Sequence, residues 1–249
     1  MYTAIIQRFL RSNNYIRVVP RAALIDMDGT LYDSMPSHAR AWCRLMAESG
    51  IDVPVNEFFR YEGRTGASTI NLIFKQKLGR EATDEECRAL YHRKTELFSS
   101  MPPVSPMPGA AEMLDFMKQI GMKRVLVTGS GQNSLISRLD TDYPGAFTED
   151  LRVTSRDVVH GKPAPEPYLK AMEKAGVTAA ECIVVENAPL GVEAGHAAGM
   201  FTVGINTGPL DPRELTEAGA DVVFDSMPEF AEGLPMLVYS LITTMNNVN

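Results

Sequence analysis

The sequence predicts an α/β protein, a parallel sheet covered by helices on both faces and interrupted by one helical insert. Three observations carry that expectation. Short apolar runs at residues 22–25, 125–128, 183–186, 201–205 and 222–224, with a weaker one near 151–154, read as buried strands. Helix-length segments at residues 110–120, 166–175, 190–198 and 228–239 fall between them, the pattern of a sheet wound on both sides. From about Pro36 to Pro102 the alternation stops and the pattern is helical throughout.

Taken in order, residues 1–17 form an N-terminal extension without the uninterrupted apolar stretch and small-residue cleavage site of a signal peptide. They are either a short amphipathic helix or a segment with no role. The core begins at residues 18–35, whose strand at 22–25 is apolar throughout. The insert, residues 36–102, shows apolar residues at three- and four-residue intervals over 37–50 and 69–78, and Thr83-Asp84-Glu85-Glu86 reads as a capping box. Ser34-Met35-Pro36 brackets it on one side. On the other, the four prolines of residues 101–109 stiffen a connector. Two connectors placed just after the first strand suit a movable lid. The core resumes over residues 103–249.

Composition narrows the function classes. Of the 249 residues, 45% are hydrophobic and 22% charged, enough to bury a sizeable core. A formal net charge of −7 excludes a phosphate-tracking nucleic-acid surface, which needs a basic face. No apolar run approaches the roughly 20 residues that span a bilayer. Cys43, Cys87 and Cys182 follow neither metal spacing nor a pairing plan. The expectation is a reduced, soluble, cytoplasmic monomer that meets neither membrane nor nucleic acid.

Chemistry concentrates where strands end. Asp26-Met27-Asp28-Gly29-Thr30 puts two carboxylates at the mouth of the first strand, and Gly29 lets the chain turn sharply. Two anions that close repel unless a cation lies between them or one holds a proton. Thr128-Gly129-Ser130 ends a second strand in hydroxyls and free backbone N–H groups that suit an anion. Lys162 sits in the rigid loop Gly161-Lys162-Pro163-Ala164-Pro165. Glu186-Asn187 closes another strand with oxygens that suit a hard cation such as Mg2+ better than zinc.

In order and position, Asp26, Asp28, Thr128, Lys162, Glu186 and Asn187 resemble the haloacid dehalogenase superfamily of phosphotransferases, over nearly all of residues 21–240. The resemblance implies a Rossmann-like doubly wound core with a helical cap, and a small phosphate-containing substrate. It makes Asp26 the nucleophile forming an aspartyl phosphate, and Asp28 the acid and then base. It gives Mg2+ to Asp26, Asn187 and the Asp28 carbonyl, with Glu186 nearby or through water. Lys162 and Thr128 then stabilise the transferring group. The family usually carries a carboxylate where Asn187 stands, so one negative charge is missing.

Residues 34–51 further resemble the β-phosphoglucomutase branch, including a hinge histidine at His38, which is otherwise only a polar helix residue. That branch carries a lysine and an arginine in the cap loop, where this chain has Glu62 and Gly66. A glutamate there would repel a second phosphate, but as the cap closes it could become a metal ligand, replacing the acid lost at Asn187. Arg64 would remain to grip a second phosphate close to the first. The cap loop, residues 128–132 and residues 186–196 together look like a Bacteroides-type inorganic pyrophosphatase of this superfamily. The expected activity is therefore Mg2+-dependent hydrolysis of pyrophosphate, with a phosphosugar mutase or small-ester phosphatase as the alternative.

Overall fold

The computed structural model describes residues 2–130 and 133–246. The chain starts with α1 (Thr3–Asn13) and β1 (Ala22–Ile25), then enters the helices α2 (Met35–Glu48), α3 (Glu57–Arg60), α4 (Gly66–Leu78) and α5 (Asp84–Ser99). Next come α6 (Ala110–Gln119), β2 (Lys123–Val127), the short α7 (Asn133–Ile136) and α8 (Leu139–Asp142), β3 (Arg152–Val153) and α9 (Glu166–Ala175). The last elements are β4 (Cys182–Glu186), α10 (Pro189–Ala197), β5 (Phe201–Ile205), α11 (Pro212–Glu217), β6 (Val222–Phe224) and α12 (Met227–Thr243).

The strands form one parallel six-stranded sheet in the order β3-β2-β1-β4-β5-β6. This is the Rossmann-like doubly wound core expected from sequence. All four residues of β1 are buried, and their side chains alternate between two cores. Ala23 and Ile25, with Leu126, Ile183 and Val185, join the cluster that contains α1, α6 and α12. Ala22 and Leu24, with Val125, Val127 and Val184, face Tyr168, Ala171 and Ala175 of α9. The strand order reverses between β1 and β4, and ligands of such sheets gather beyond the carboxyl ends at that point.

Helices α2 to α5 make up the insert, with α2 and α4 both packed on α5. Helix α2 begins at Met35 because Pro36 fits the first turn, where its missing N–H costs nothing. Thr65 caps α4 through the Ser68 N–H, so that helix starts three residues before the apolar period suggests. The Thr83/Glu86 capping box forms as read. The two connectors pair side by side: Asp33 N–H donates to Ser105 O (3.0 Å) and Met107 N–H to Leu31 O (2.8 Å).

Of the two readings of residues 1–17, the structure carries the amphipathic helix. Ile6, Phe9 and Leu10 of α1 are buried in the main core. No helix among the described residues is long and apolar enough to cross a membrane. Cys43, Cys87 and Cys182 are free thiols. Because Leu10 is fully buried, Leu10→Ala should cost about 2–5 kcal/mol in urea unfolding. A change near zero would show that α1 is dispensable.

Candidate active site

The sheet register sets the first residues of the site. Ile25 lies opposite Leu126 on β2 and Val185 on β4, so Asp26, Thr128 and Glu186 leave three adjacent strands at nearly one level. Asp26 is held by its N–H donating to Val185 O (3.0 Å). Gly29 adopts φ 82°, and any Cβ there would overlap the Asn187 amide, so only glycine lets the β1 loop lie against β4. The Thr128 hydroxyl accepts from Ser130 N–H (3.0 Å) and organises the turn of Gly129. Gly131 and Gln132, part of the resemblance above, lie outside the described residues.

Lys162 is the centre of charge. Its ammonium donates to Asp26 Oδ1 (2.5 Å), Glu186 Oε1 (2.5 Å) and Val127 O (3.2 Å), using all three of its protons. Burial alone would lower its pKa, but the two carboxylates outweigh burial and hold it above the usual lysine range. Asp26 is pushed well up, first by burial and then by Glu186 and Asp28, against the pull of Lys162. Its second oxygen, Oδ2, is buried without a hydrogen-bond partner. A bare carboxylate oxygen in a low-dielectric site calls for a cation or an electrophile.

Glu186, expected near a cation or linked to it through water, is fully engaged within the protein. Its Oε1 accepts from Lys162 and the Tyr168 hydroxyl (2.7 Å), and its Oε2 accepts from Asn187 N–H (3.0 Å) and Ala188 N–H (3.2 Å). A carboxylate has about four lone-pair positions, and all four are taken. Glu186 therefore anchors Lys162 and the β4 turn and has no oxygen free for a direct bond to a cation.

The second aspartate is tied to the insert. Asp28 Oδ1 accepts from Ser34 Oγ (2.7 Å) and lies 2.9 Å from His38 Nε2. Ser34 precedes α2 but makes no side-chain cap there, its hydroxyl being spent on Asp28. His38 Nδ1 lies 2.6 Å from Lys94 Nζ on α5, and its ring stacks on Phe98. With Lys94 charged, Nδ1 must accept, and Nε2–H then donates to Asp28. Burial pushes Asp28 up, yet His38, Ser34 and Lys94 together bring it below its ordinary value. Burial and Lys94 lower His38, and burial brings Lys94 down to about 7.

Lys94 went unread in the sequence. The available signal was its position: Cys87, Leu90, Lys94 and Leu97 recur at helical spacing, so a lysine sits on the apolar stripe of α5. It is 3% exposed and lies 5.4 Å from the Trp42 ring.

The loop between α3 and α4 reaches into the site. Glu62 Oε1 accepts from Asn187 Nδ2 (3.0 Å), and burial, then Asp26, Glu186 and Asp28, raise its pKa against the Asn187 bond. Arg64 donates to Ser68 Oγ (3.2 Å), while its buried Nε has no partner. A Cβ on Gly129 would stand 2.6 Å from Gly63 O, so this loop docks directly on the turn after β2. The cavity is about 70 Å³, bounded by Asp26, Asp28, Glu62, Arg64, Lys94 and Ser130 on its polar side. Ordinary small-molecule pockets run to roughly 300–1,000 Å³.

No cluster of three or more His, Cys, Asp or Glu side chains in metal-holding geometry occurs among the described residues. A hard cation would instead draw on Asp26, the Asp28 carbonyl, the Asn187 amide and Glu62, an all-oxygen set with two acidic side chains. The bare Asp26 Oδ2 and the burial and acid repulsion that together raise Glu62 fit such a group. Thr30 Oγ1 lies 3.2 Å from Asn187 Oδ1 and, being both donor and acceptor, serves either orientation of that amide.

The Lys94 chain makes a test. Between pH 7 and 10.5 the folded protein binds fewer protons at Lys94 than the unfolded chain, so stability should rise with pH across that window. Lys94→Met should flatten that slope in unfolding measurements. It should also raise the Asp28 pKa, moving the acid limb of turnover of a generic aryl phosphate to higher pH. Limbs that coincide with those of the wild type would show that Lys94 does not govern Asp28.

A family profile described as haloacid dehalogenase-like hydrolase matches residues 20–199. Hexitol phosphatase A of Escherichia coli (strain K12) is 29% identical over 206 residues, spanning 83% of this chain and 91% of that protein. Validoxylamine A 7'-phosphate phosphatase of Streptomyces hygroscopicus subsp. limoneus is 31% identical over 210 residues, 84% of this chain and 95% of that protein. Among solved structures, a Bacteroides vulgatus protein provisionally named a beta-phosphoglucomutase matches with a TM-score of 0.93 at 44% identity, over 96% of this chain and 98% of that one. The chain belongs to the haloacid dehalogenase-like hydrolases, in their β-phosphoglucomutase-like branch.

Proposed function

We propose that the protein is a Mg2+-dependent phosphohydrolase working through an aspartyl phosphate on Asp26, with inorganic pyrophosphate as its favoured substrate. One observation carries the choice of substrate: Glu62 stands 3.0 Å from Asn187 inside a cavity of about 70 Å³. A carboxylate in that place leaves little room for a sugar and restores the acid missing at Asn187.

In this reading residues 36–102 are the cap, and residues 18–35 with 103–249 the catalytic core. Asp26 Oδ2 attacks phosphorus as the bond to the bridging oxygen breaks. Asp28, ionised by its surroundings, accepts a proton from the incoming phosphate compound and passes it to the departing oxygen, and later takes one from the water that cleaves the acyl phosphate and regenerates Asp26. The Thr128 hydroxyl and the Gly129 N–H hold oxygens of the transferring group, and Lys162, its three protons already committed, contributes through its charge. His38 and Lys94 orient Asp28, and the unpaired Nε of Arg64 grips the second phosphate. Asp26, the Asp28 carbonyl, Asn187 and Glu62 would hold Mg2+, which would supply charge compensation, with Glu186 acting on it only at a distance.

The names of the curated relatives and of the Bacteroides vulgatus neighbour favour a second reading, a sugar-phosphate phosphatase or phosphosugar mutase. Orthophosphate release from pyrophosphate in the presence of Mg2+ is the expected result, and Asp26→Asn should abolish it. Glu62→Ala should reduce pyrophosphate turnover at least tenfold more than turnover of a generic aryl phosphate, since loss of one preorganised group costs roughly 10²–10³ in rate. Equal losses on both substrates would remove the role of Glu62. Conversion of β-glucose 1-phosphate, primed with its bisphosphate, into glucose 6-phosphate would establish the mutase instead.

A further inference from the structure

We propose that an ion pair between Arg60 of the insert and Glu214 of α11 holds the loop that carries Glu62 against the site, so that Arg60 and Glu214 act as positioning residues. Arg60 ends α3 and stands two residues before Glu62, about 7 Å of chain at most. Its guanidinium meets Glu214 as a fork on a fork: Nε donates to Oε2 (3.1 Å) and Nη2 to Oε1 (3.3 Å). Nη1 donates to Glu57 Oε1 (3.1 Å) one turn earlier on α3. The group is thus fixed in one plane by two carboxylates, one on its own helix and one 154 positions along the chain.

The far side of the pair is a firm base. Asp211 caps α11 by accepting from Arg213 N–H (2.9 Å), and Pro212 fits the first turn. Leu215, next to Glu214, is buried with Val192 and Ala220. The segment that runs from β5 into α11 also reaches the site and the insert at other points. Thr207 Oγ1 donates to Gly29 O (2.6 Å) in the turn that follows Asp28, and Gly208 lies against the Phe59 ring of α3. On the insert side, Tyr61 N–H donates to Glu57 O (3.1 Å) and Arg64 N–H to Tyr61 O (3.3 Å), so a hold on Arg60 is passed on to Glu62. Glu62 needs one, because burial and three nearby acids disfavour its charge where it stands. The Arg60–Glu214 pair forms only while the insert lies on this segment, and it therefore favours that arrangement over any in which the loop has moved away. Both partners are partly exposed, which keeps the effect modest and sensitive to salt.

This inference rests on the proposed function only for the part Glu62 plays in turnover; the hold on the loop is read without substrate or cation. The test measures hydrogen–deuterium exchange over residues 61–65 in wild type, Arg60→Gln, Glu214→Gln, the double variant and Glu57→Gln. Arg60→Gln and Glu214→Gln should each speed exchange about two- to fivefold, the size of a well-formed exposed ion pair. The double variant should match the singles, because one interaction is lost only once. Glu57→Gln breaks only the bond within α3 and should exchange like the wild type. Raising salt to about 1 M should bring the wild type close to Glu214→Gln. Exchange unchanged in Glu214→Gln overturns the proposal, as does an additive double variant or an equal effect of Glu57→Gln. In turnover, Glu214→Gln should lower kcat/KM for pyrophosphate about two- to fivefold, and should lower it no further in a Glu62→Ala background. A full loss that persists in that background also overturns the proposal. A wild type inactive on pyrophosphate, or a Glu62→Ala variant equal to it, refutes the proposed function of Glu62 alone, and the exchange comparison then decides whether the pair holds the loop.

Discussion

One lysine neutralising two buried carboxylates is the interaction on which the rest of the site depends. Lys162 spends its three protons on Asp26, Glu186 and the Val127 carbonyl. A buried pair of this kind loses its solvation, and each lone pair left without a donor adds to that cost. Glu186 avoids the cost through Tyr168 and two backbone N–H groups. Asp26 does not, and its Oδ2 is left bare. The same residues that satisfy Glu186 therefore decide which carboxylate keeps an unpaired oxygen.

The helical insert enters through a second charged chain. Asp28 follows β1, but the groups that lower its pKa come from the start of the insert and from its last helix: Ser34, His38 and Lys94. Its protonation is thus tied to the packing of α2 on α5, two helices of the insert. Close approach of the loop after α3 is a matter of missing side chains, since Gly129 clears the way for the Gly63 carbonyl. In that place Glu62 lies among three other acids, an arrangement that is costly without a compensating cation. The position of the insert and the placement of the acids are one coupled problem here.

Much of this was readable beforehand, and the exceptions share a cause. The helix at residues 166–175 and the capping box at Thr83 follow from local pattern and were found where expected. The helix over residues 3–13 was left open because amphipathicity does not say whether an apolar face finds a core. Helix α4 starts early because a cap, not the apolar period, sets its first residue. Glu186 was read correctly as a strand-end acid, but nothing in Val184-Val185-Glu186 reveals that Tyr168 lies beneath it. Lys94 is a single residue on an otherwise ordinary helix, and its meaning appears only beside His38.

By itself, then, the order of residues determined the sheet, the place of the helical insert and the acids at the strand ends. Strand alternation, helix periodicity and glycine turns act over a few residues and leave their record in adjacent letters. Tertiary structure alone decided which oxygens are engaged, how α5 lies against α2, and how much volume is left beside the acids. Those outcomes depend on contacts between residues 56 and 125 positions apart, such as Lys94 with His38 and Glu62 with Asn187. Burial and pairing at that range depend on the packing of the whole chain, which no local pattern encodes.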